Sequence, residues 1–338
     1  MGAVLVTGAA GFIGSNLLET LLDADQEVVG LDNFATGKRA NLNDYYDPRL
    51  KQYRLARLQP HAGFSFERVD LADLAAMQGV FARHRFDSIV HLAAQAGVRY
   101  SLTHPHAYVD SNLAGMVTVL EGARAQQVRH LVYASSSSVY GANAKLPFAT
   151  TDPVERPVSL YAATKRANEL MAYVYAMQFG VPATGLRLFT VYGPWGRPDM
   201  AAIRFTRAIL AGEPIEVYNH GDMQRDFTYI DDIVEGVLRV HDRPPAGDAD
   251  GVRHKVYNIG NHRAEPLLRF IEVLGQALGR QPEMKLMPLQ AGDVKATFAD
   301  TADLRREFQW APSTSIEVGL PRLVGWYREY YGGPAQPR

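Results

Sequence analysis

The sequence predicts an α/β fold, a doubly wound parallel sheet followed by a smaller C-terminal α/β lobe. Three observations predict it. A β-branched run meets a glycine turn and an apolar helical pattern within the first 22 residues. Strands and helices then alternate as far as about residue 188. Beyond that point the connections shorten and become rich in glycine and proline, as in Tyr192-Gly-Pro-Trp-Gly-Arg-Pro. The chain is therefore divided into a cofactor-binding domain over 1–188, a second lobe over 189–332 and a tail over 333–338 that is expected to lack order. The second lobe is expected to be discontinuous, because His254-Lys-Val-Tyr-Asn-Ile-Gly260 reads as a buried parallel strand that rejoins the first sheet.

Ala3-Val-Leu-Val-Thr7 is the first strand and leads into Gly8-Ala-Ala-Gly11-Phe12-Ile13-Gly14. Glycines so spaced let the chain turn sharply, let backbone N–H groups approach a pyrophosphate, and let the helix pack closely on the strand. The helix N-terminus then faces the anion. This is the Rossmann-type arrangement, in a G-x-x-G-x-x-G variant. The second strand, Glu27 to Leu31, ends at Asp32 and Asn33, where an acidic residue accepts hydrogen bonds from an adenosine ribose. A carboxylate there repels a 2′-phosphate and favours NAD over NADP, although Lys38 and Arg39 follow closely enough to answer a phosphate. Two further strand ends, at Asp70-Leu71 and at Leu92-Ala93-Ala94, open on the same crevice. Between and after them the pattern predicts a helix near 73–84, a strand over 87–92, a helix near 106–127, a strand over 129–135, a helix over 160–179 and a strand over 183–188.

The catalytic signal is Tyr161-Ala-Ala-Thr-Lys165. Four residues apart on a helix, the phenol and the ammonium share a face, and a nearby lysine charge is expected to stabilise the phenolate and bring deprotonation toward neutral pH. Alone, such a pair also fits a solvated helix face. Here it follows a strand over 131–135 that runs into Ser136-Ser137-Ser138, placing hydroxyls at the carboxyl end of a central strand. The glycine turn, the strand-end hydroxyls and the Tyr/Lys pair stand in order within one alternating α/β half, and together they point to a nucleotide-dependent enzyme.

Composition narrows the rest. Lys and Arg total 35 against 36 Asp and Glu, so the net charge of −1 provides no basic field for nucleic acid. There are no cysteines, which excludes disulfides, thiolate metal sites and thiol nucleophiles. His104-Pro-His106 reads as a helix-entry loop and no metal is expected. No run of eighteen apolar residues occurs, so no membrane span is expected. The start lacks a basic leader, and the expected location is the cytoplasm.

These motifs resemble those of the extended short-chain dehydrogenase/reductase family and, over nearly the whole length, its nucleotide-sugar epimerases. The resemblance implies Tyr161 as catalytic base, Lys165 as its electrostatic partner and ligand of the nicotinamide ribose, Ser136 or Ser138 as the hydroxyl on the sugar oxygen, and Asn112 as the family's structural asparagine. Ala96-Gly-Val-Arg99-Tyr-Ser, the run from Arg187 to Met200, and Asn219 to Asp232 resemble the UDP-glucuronate 4-epimerase group. That likeness implies a UDP-sugar substrate. Arg225 would lie on its diphosphate, Asp293 on the uridine ribose and Thr190 with Arg197 on the sugar carboxylate, with Arg99 as a further substrate residue. A guanidinium fork suits a planar carboxylate or phosphate.

The implied reaction is C4 epimerisation through a transient 4-keto sugar, with NAD reduced and restored in each turnover. Related sugar 4,6-dehydratases carry an Asp-Glu pair where this chain has Ser137-Ser138, and elimination of water needs such an acid and base. UDP-glucose or UDP-N-acetylhexosamine epimerases, nucleotide-sugar reductases and NAD-bound regulators are the rival readings. The segment 34–42 looks like the UDP-N-acetylhexosamine epimerases, while Asn43 to Lys51 looks like the glucuronate group. The family also implies a homodimer, here through the helices near 106–127 and 160–179.

Overall fold

The computed structural model describes residues 2–34, 48–289 and 295–332. Its centre is a seven-stranded, all-parallel sheet. Six strands come from the first part of the chain: β1 (Ala3–Thr7), β2 (Val28–Leu31), β3 (Phe64–Glu67), β4 (Phe86–His91), β5 (His130–Ser136) and β6 (Ala183–Leu188). Four short strands follow, β7 (Thr190–Tyr192), β8 (Ile215–Val217), β9 (Gln224–Arg225) and β10 (Phe227–Tyr229), before β11 (His254–Ile259) pairs with β6 along six residues and closes that edge of the sheet. The order β3-β2-β1-β4-β5-β6-β11 reverses direction between β1 and β4. Such a reversal opens a crevice beyond the carboxyl ends of the two strands.

Every residue of β1, β2 and β5 is buried, as expected where helices cover both faces of a parallel sheet. The strand period of two sorts their side chains. Val4 and Val6 join one core, with Leu17, Leu18, Ile233 and Val237; Ala3 and Leu5 join another, with Met77, Val119, Leu120 and Ala172. The helices concerned are α1 (Phe12–Asp23), α2 (Pro48–Leu58), α3 (Leu74–Arg83), two short turns α4 (Tyr100–Thr103) and α5 (Pro105–Tyr108), α6 (Gly115–Gln126), α7 (Leu160–Phe179), α8 (Ala201–Ala211) and α9 (Ile230–Asp242). After β11 come β12 (Glu265–Pro266), α10 (Leu267–Leu278), β13 (Met284–Leu286), β14 (Ala296–Thr297), α11 (Ala302–Phe308) and α12 (Ile316–Gly332). The short strands form three small sheets, β7 with β10, β8 with β13, and β9 between β12 and β14.

Two elements differ from the sequence expectation. The helix expected near 106–127 is a short turn, then a π-helical segment over Val109–Ala114, then α6. The wide turn accompanies Asn112, which is buried; its Oδ1 accepts from the Gln95 amide at 2.8 Å and its Nδ2 donates to the Gln95 carbonyl and to Thr164 Oγ1, both at 3.0 Å. A loop, a π-turn and α7 are thereby tied at one point. The second difference is α2, a helix over Pro48–Leu58 where no element was expected. Its charged surface hides the helical period. Among the described residues, no helix is long and apolar enough to cross a membrane, and no cluster of three or more His, Asp or Glu could hold a metal ion.

Candidate active site

A cleft of about 470 Å³ lies beyond the carboxyl ends of the central strands. One wall is the glycine turn. Gly8 has φ +75°, and a Cβ there would stand 2.8 Å from the Ala93 amide nitrogen; a Cβ on Gly14 would stand 2.1 Å from the Gly8 carbonyl oxygen. Only glycines allow α1 to come this close to β1 and β4. No side chain caps the start of α1, and Gly11, Phe12, Ile13 and Gly14 all line the cleft. Its first amides therefore suit a pyrophosphate.

Asp32 stands at the end of β2 with 5% of its surface exposed. It accepts from the Phe34 amide at 2.8 Å, the Ala10 amide at 3.2 Å and Lys51 Nζ at 2.9 Å. Lys51, from the unforeseen helix α2, is thus the cation seen beside this carboxylate; Lys38 and Arg39 lie outside the described residues, as does Asp293. Asn33 donates to Asp70 at 3.3 Å, and Asp70, Leu71, Leu92, Ala93 and Ala94 complete this side of the cleft. Glycine turn, uncapped helix end and strand-end carboxylate together match the shape and charge of a dinucleotide, the ribose at Asp32 and the pyrophosphate at α1.

At the other end, Ser159 caps α7 by accepting from the Ala162 amide at 3.1 Å, and the helix presents Tyr161 and Lys165 to the cleft. Ser136 and Tyr161 both line this wall, and the Ser136 hydroxyl acts to lower the Tyr161 pKa. Ser138 lines the same wall, its amide donating to Ser136 Oγ at 3.2 Å. Both serines that sequence left as alternatives stand in the cleft with the phenol.

Lys165 is tied to the end of β5. Its Nζ donates to the Ala134 carbonyl at 2.8 Å, and burial pulls its pKa down to about 8. The Tyr161 pKa is raised, by burial first, against the opposing Ser136 hydroxyl and Arg197 charge. Both groups are desolvated, and burial disfavours the phenolate and the ammonium alike.

A buried ion pair holds that backbone. Ser135 donates to Glu169 at 2.6 Å, Arg187 grips Glu169 with Nε at 2.8 Å and Nη2 at 2.9 Å, and Arg187 Nη1 reaches the Tyr140 hydroxyl at 3.0 Å. Burial pushes the Glu169 carboxyl up, but the bonds and charge of Arg187 outweigh it and hold the pKa low.

Arg197 and Thr190 both line the cleft on the Tyr161 side. Arg197 is no solvated loop charge; it forms a bidentate pair with Asp199, at 3.0 Å from Nε and 2.8 Å from Nη2. Arg99 and Arg225 are not among the lining residues. Arg99 lies over the Tyr218 ring at 5.2 Å, and Arg225 donates to the carbonyls of Gln224 at 2.8 Å and Lys295 at 3.1 Å. Neighbouring Asp226 is fully buried and accepts from the Asn261 amide at 2.6 Å.

Sequence reasoning missed Asp199, Lys51 and Arg54. Only Asp199 had a local signal, a carboxylate two residues after a candidate carboxylate-binding arginine. Arg54, on α2 and with no exposed surface, donates to the carbonyls of Ala10 at 3.2 Å, Gly196 at 3.2 Å and Trp195. It links the glycine turn to the loop that carries Arg197 across more than 140 residues of sequence.

Comparison with known proteins adds to this geometry. Residues 4–260 match the NAD dependent epimerase/dehydratase family. The chain is 51% identical over 97% of its length to a 37.6 kDa protein of Escherichia coli O111:H-, covering 98% of that protein. It is 45% identical to a probable UDP-glucuronate 4-epimerase of Rhizobium meliloti, covering 97% of each chain. Among solved structures, UDP-glucuronic acid 4-epimerase from Bacillus cereus, in complex with UDP-glucuronic acid and NAD, superposes with a TM-score of 0.85 at 31% identity, over 97% of this chain and 100% of that one.

Proposed function

The chain belongs to the NAD dependent epimerase/dehydratase family, within the extended short-chain dehydrogenases/reductases, and from that membership and the geometry of its cleft we propose that it inverts C4 of UDP-glucuronate to give UDP-galacturonate. It is an NAD-dependent isomerase. The observation that carries the substrate assignment is Arg197 with Thr190 in the same cleft as Tyr161, in a chain 45% and 43% identical to proteins named probable UDP-glucuronate 4-epimerase and UDP-glucuronate 4-epimerase 3.

NAD, when bound, would supply a hydride acceptor and donor for C4. Its pyrophosphate falls to the amides of α1, its adenosine ribose to Asp32 and its nicotinamide ribose to Lys165. Tyr161 takes the proton of the sugar 4-hydroxyl and gives it back. Ser136 or Ser138, both in the cleft with the phenol, holds the same sugar oxygen. Thr190 and Arg197 receive the sugar carboxylate, Arg225 serves the diphosphate and Asp293 the uridine ribose, with Arg99 as a further substrate residue. The keto sugar carries its ketone β to the carboxylate and is prone to lose CO₂, so the carboxylate must be held out of line with the ketone π-system. Neither Ser137 nor Ser138 offers the carboxylic acid that water elimination requires.

A homodimer is also proposed. Leu170, Tyr173, Val174 and Met177 are 51%, 39%, 44% and 46% exposed, and their spacing makes one apolar stripe along α7. Val109 and Val117 extend it onto the adjoining helix. We place the enzyme in the cytoplasm, where NAD and UDP-sugars are both available.

The decisive experiment is NMR of the purified protein with UDP-glucuronate and no added cofactor. Resonances of UDP-galacturonate are expected. Turnover of UDP-glucose or UDP-N-acetylglucosamine in place of the uronate would sink the substrate assignment, and no turnover of any of them, with NAD added, would sink the epimerase reading.

A further inference from the structure

Arg197 already has an occupant for its fork. Its Nε and Nη2 donate to the two oxygens of Asp199, the pair is mostly buried with 23% and 21% exposed, and both side chains line the cleft with Tyr161 and Thr190. This is one of the two guanidinium edges that a planar carboxylate takes bidentately, the other being Nη1 with Nη2. An incoming sugar carboxylate and Asp199 cannot both use the same two N–H groups, and crowding both around one cation sets two anions against each other.

Resting on the uronate reading above, we propose that Asp199 is a specificity-determining residue whose carboxylate is exchanged for that of the hexuronate when a UDP-hexuronate binds. A neutral hexose has no group to displace it, so the pair stays closed. A hexuronate replaces like with like and gains only the difference between two carboxylate contacts, which leaves its affinity moderate and lets the product depart. The displaced carboxylate also has somewhere to go. Asp199 directly precedes Met200, the N-cap of α8, and no side chain caps that eleven-residue helix. Its first amides and positive end accept an anion.

The test is calorimetric titration of the NAD-loaded protein with UDP-glucuronate, UDP-glucose and UDP, before and after Asp199→Asn. Removing the competing charge is expected to tighten UDP-glucuronate on the order of tenfold, about the strength of one charge-assisted contact. UDP-glucose and UDP should be unchanged, which also reports an intact fold. The gain should vanish when Arg197→Ala is added. Weaker UDP-glucuronate binding by Asp199→Asn would mean that Asp199 stays in place as a support, and equal tightening of all three ligands would mean a general charge effect; either overturns the exchange. If Arg197→Ala alone leaves UDP-glucuronate binding untouched, the uronate reading fails and takes this proposal with it.

Discussion

Lys165 is an ammonium held where burial opposes its charge, with its pKa down to about 8 and 3% of its surface exposed. Between that value and the ordinary lysine value of about 10.5 the unfolded chain binds a proton that the folded chain does not. Stability should therefore rise with pH over this window, by roughly 3 kcal/mol at most. Urea unfolding at pH 7.5 and at higher pH, in the parent and in Lys165→Met, checks this; an equal rise in both would move the effect to other groups. Arg197 gives a second residue-scale expectation. If it holds the sugar carboxylate away from the ketone, Arg197→Ala should release several-fold more CO₂ per epimerisation, measured with carboxyl-labelled substrate. Unchanged partitioning would remove that role.

At the scale of elements, the sugar end of the cleft is supported from the cofactor end. Arg54 of α2 joins Ala10 of the glycine turn to Trp195 and Gly196, immediately before Arg197. Trp195, at φ +62°, is packed against Trp326 and Tyr330 of α12, ring centroids 5.2 and 5.0 Å away. The loop that carries Arg197 is thus clamped between two helices remote in sequence. Arg54→Met should cost roughly 2–4 kcal/mol of stability, since it deletes several buried charge-assisted hydrogen bonds. It should also weaken UDP-glucuronate more than UDP, because UDP does not use that loop's fork; Arg54→Lys should restore part of both. Equal loss for the two ligands would show that the clamp does not reach Arg197.

For the whole molecule, the unresolved burial lies on α7. One side of this helix carries Tyr161, Lys165 and Glu169 toward the cleft and the β5 anchor, while the other leaves Leu170, Tyr173, Val174 and Met177 exposed. A self-complementary face fits a twofold dimer. Val174→Asp should convert a dimer into a monomer by sedimentation equilibrium and lower the melting temperature, which should depend on protein concentration in the parent only. A monomeric parent would end that assignment.

Local pattern carries far in this chain. The glycine turn, the strand-end carboxylate at Asp32, the serines at the end of β5 and the Tyr161/Lys165 pair were legible because each depends on a few adjacent residues and on the periods of strand and helix. Those periods determine the fold class too: they require a parallel sheet buried on both faces, with its crevice at the carboxyl ends. What tertiary structure alone decided are relations between distant segments and the balance of competing solvation terms. It brought Ser136 and Ser138 to the wall that carries the phenol, directed a Lys165 N–H to the Ala134 carbonyl, set Lys51 beside Asp32, and paired one edge of Arg197 with Asp199. No local period encodes such choices, because they follow from which desolvated groups the folded chain leaves within 3 Å or so of one another.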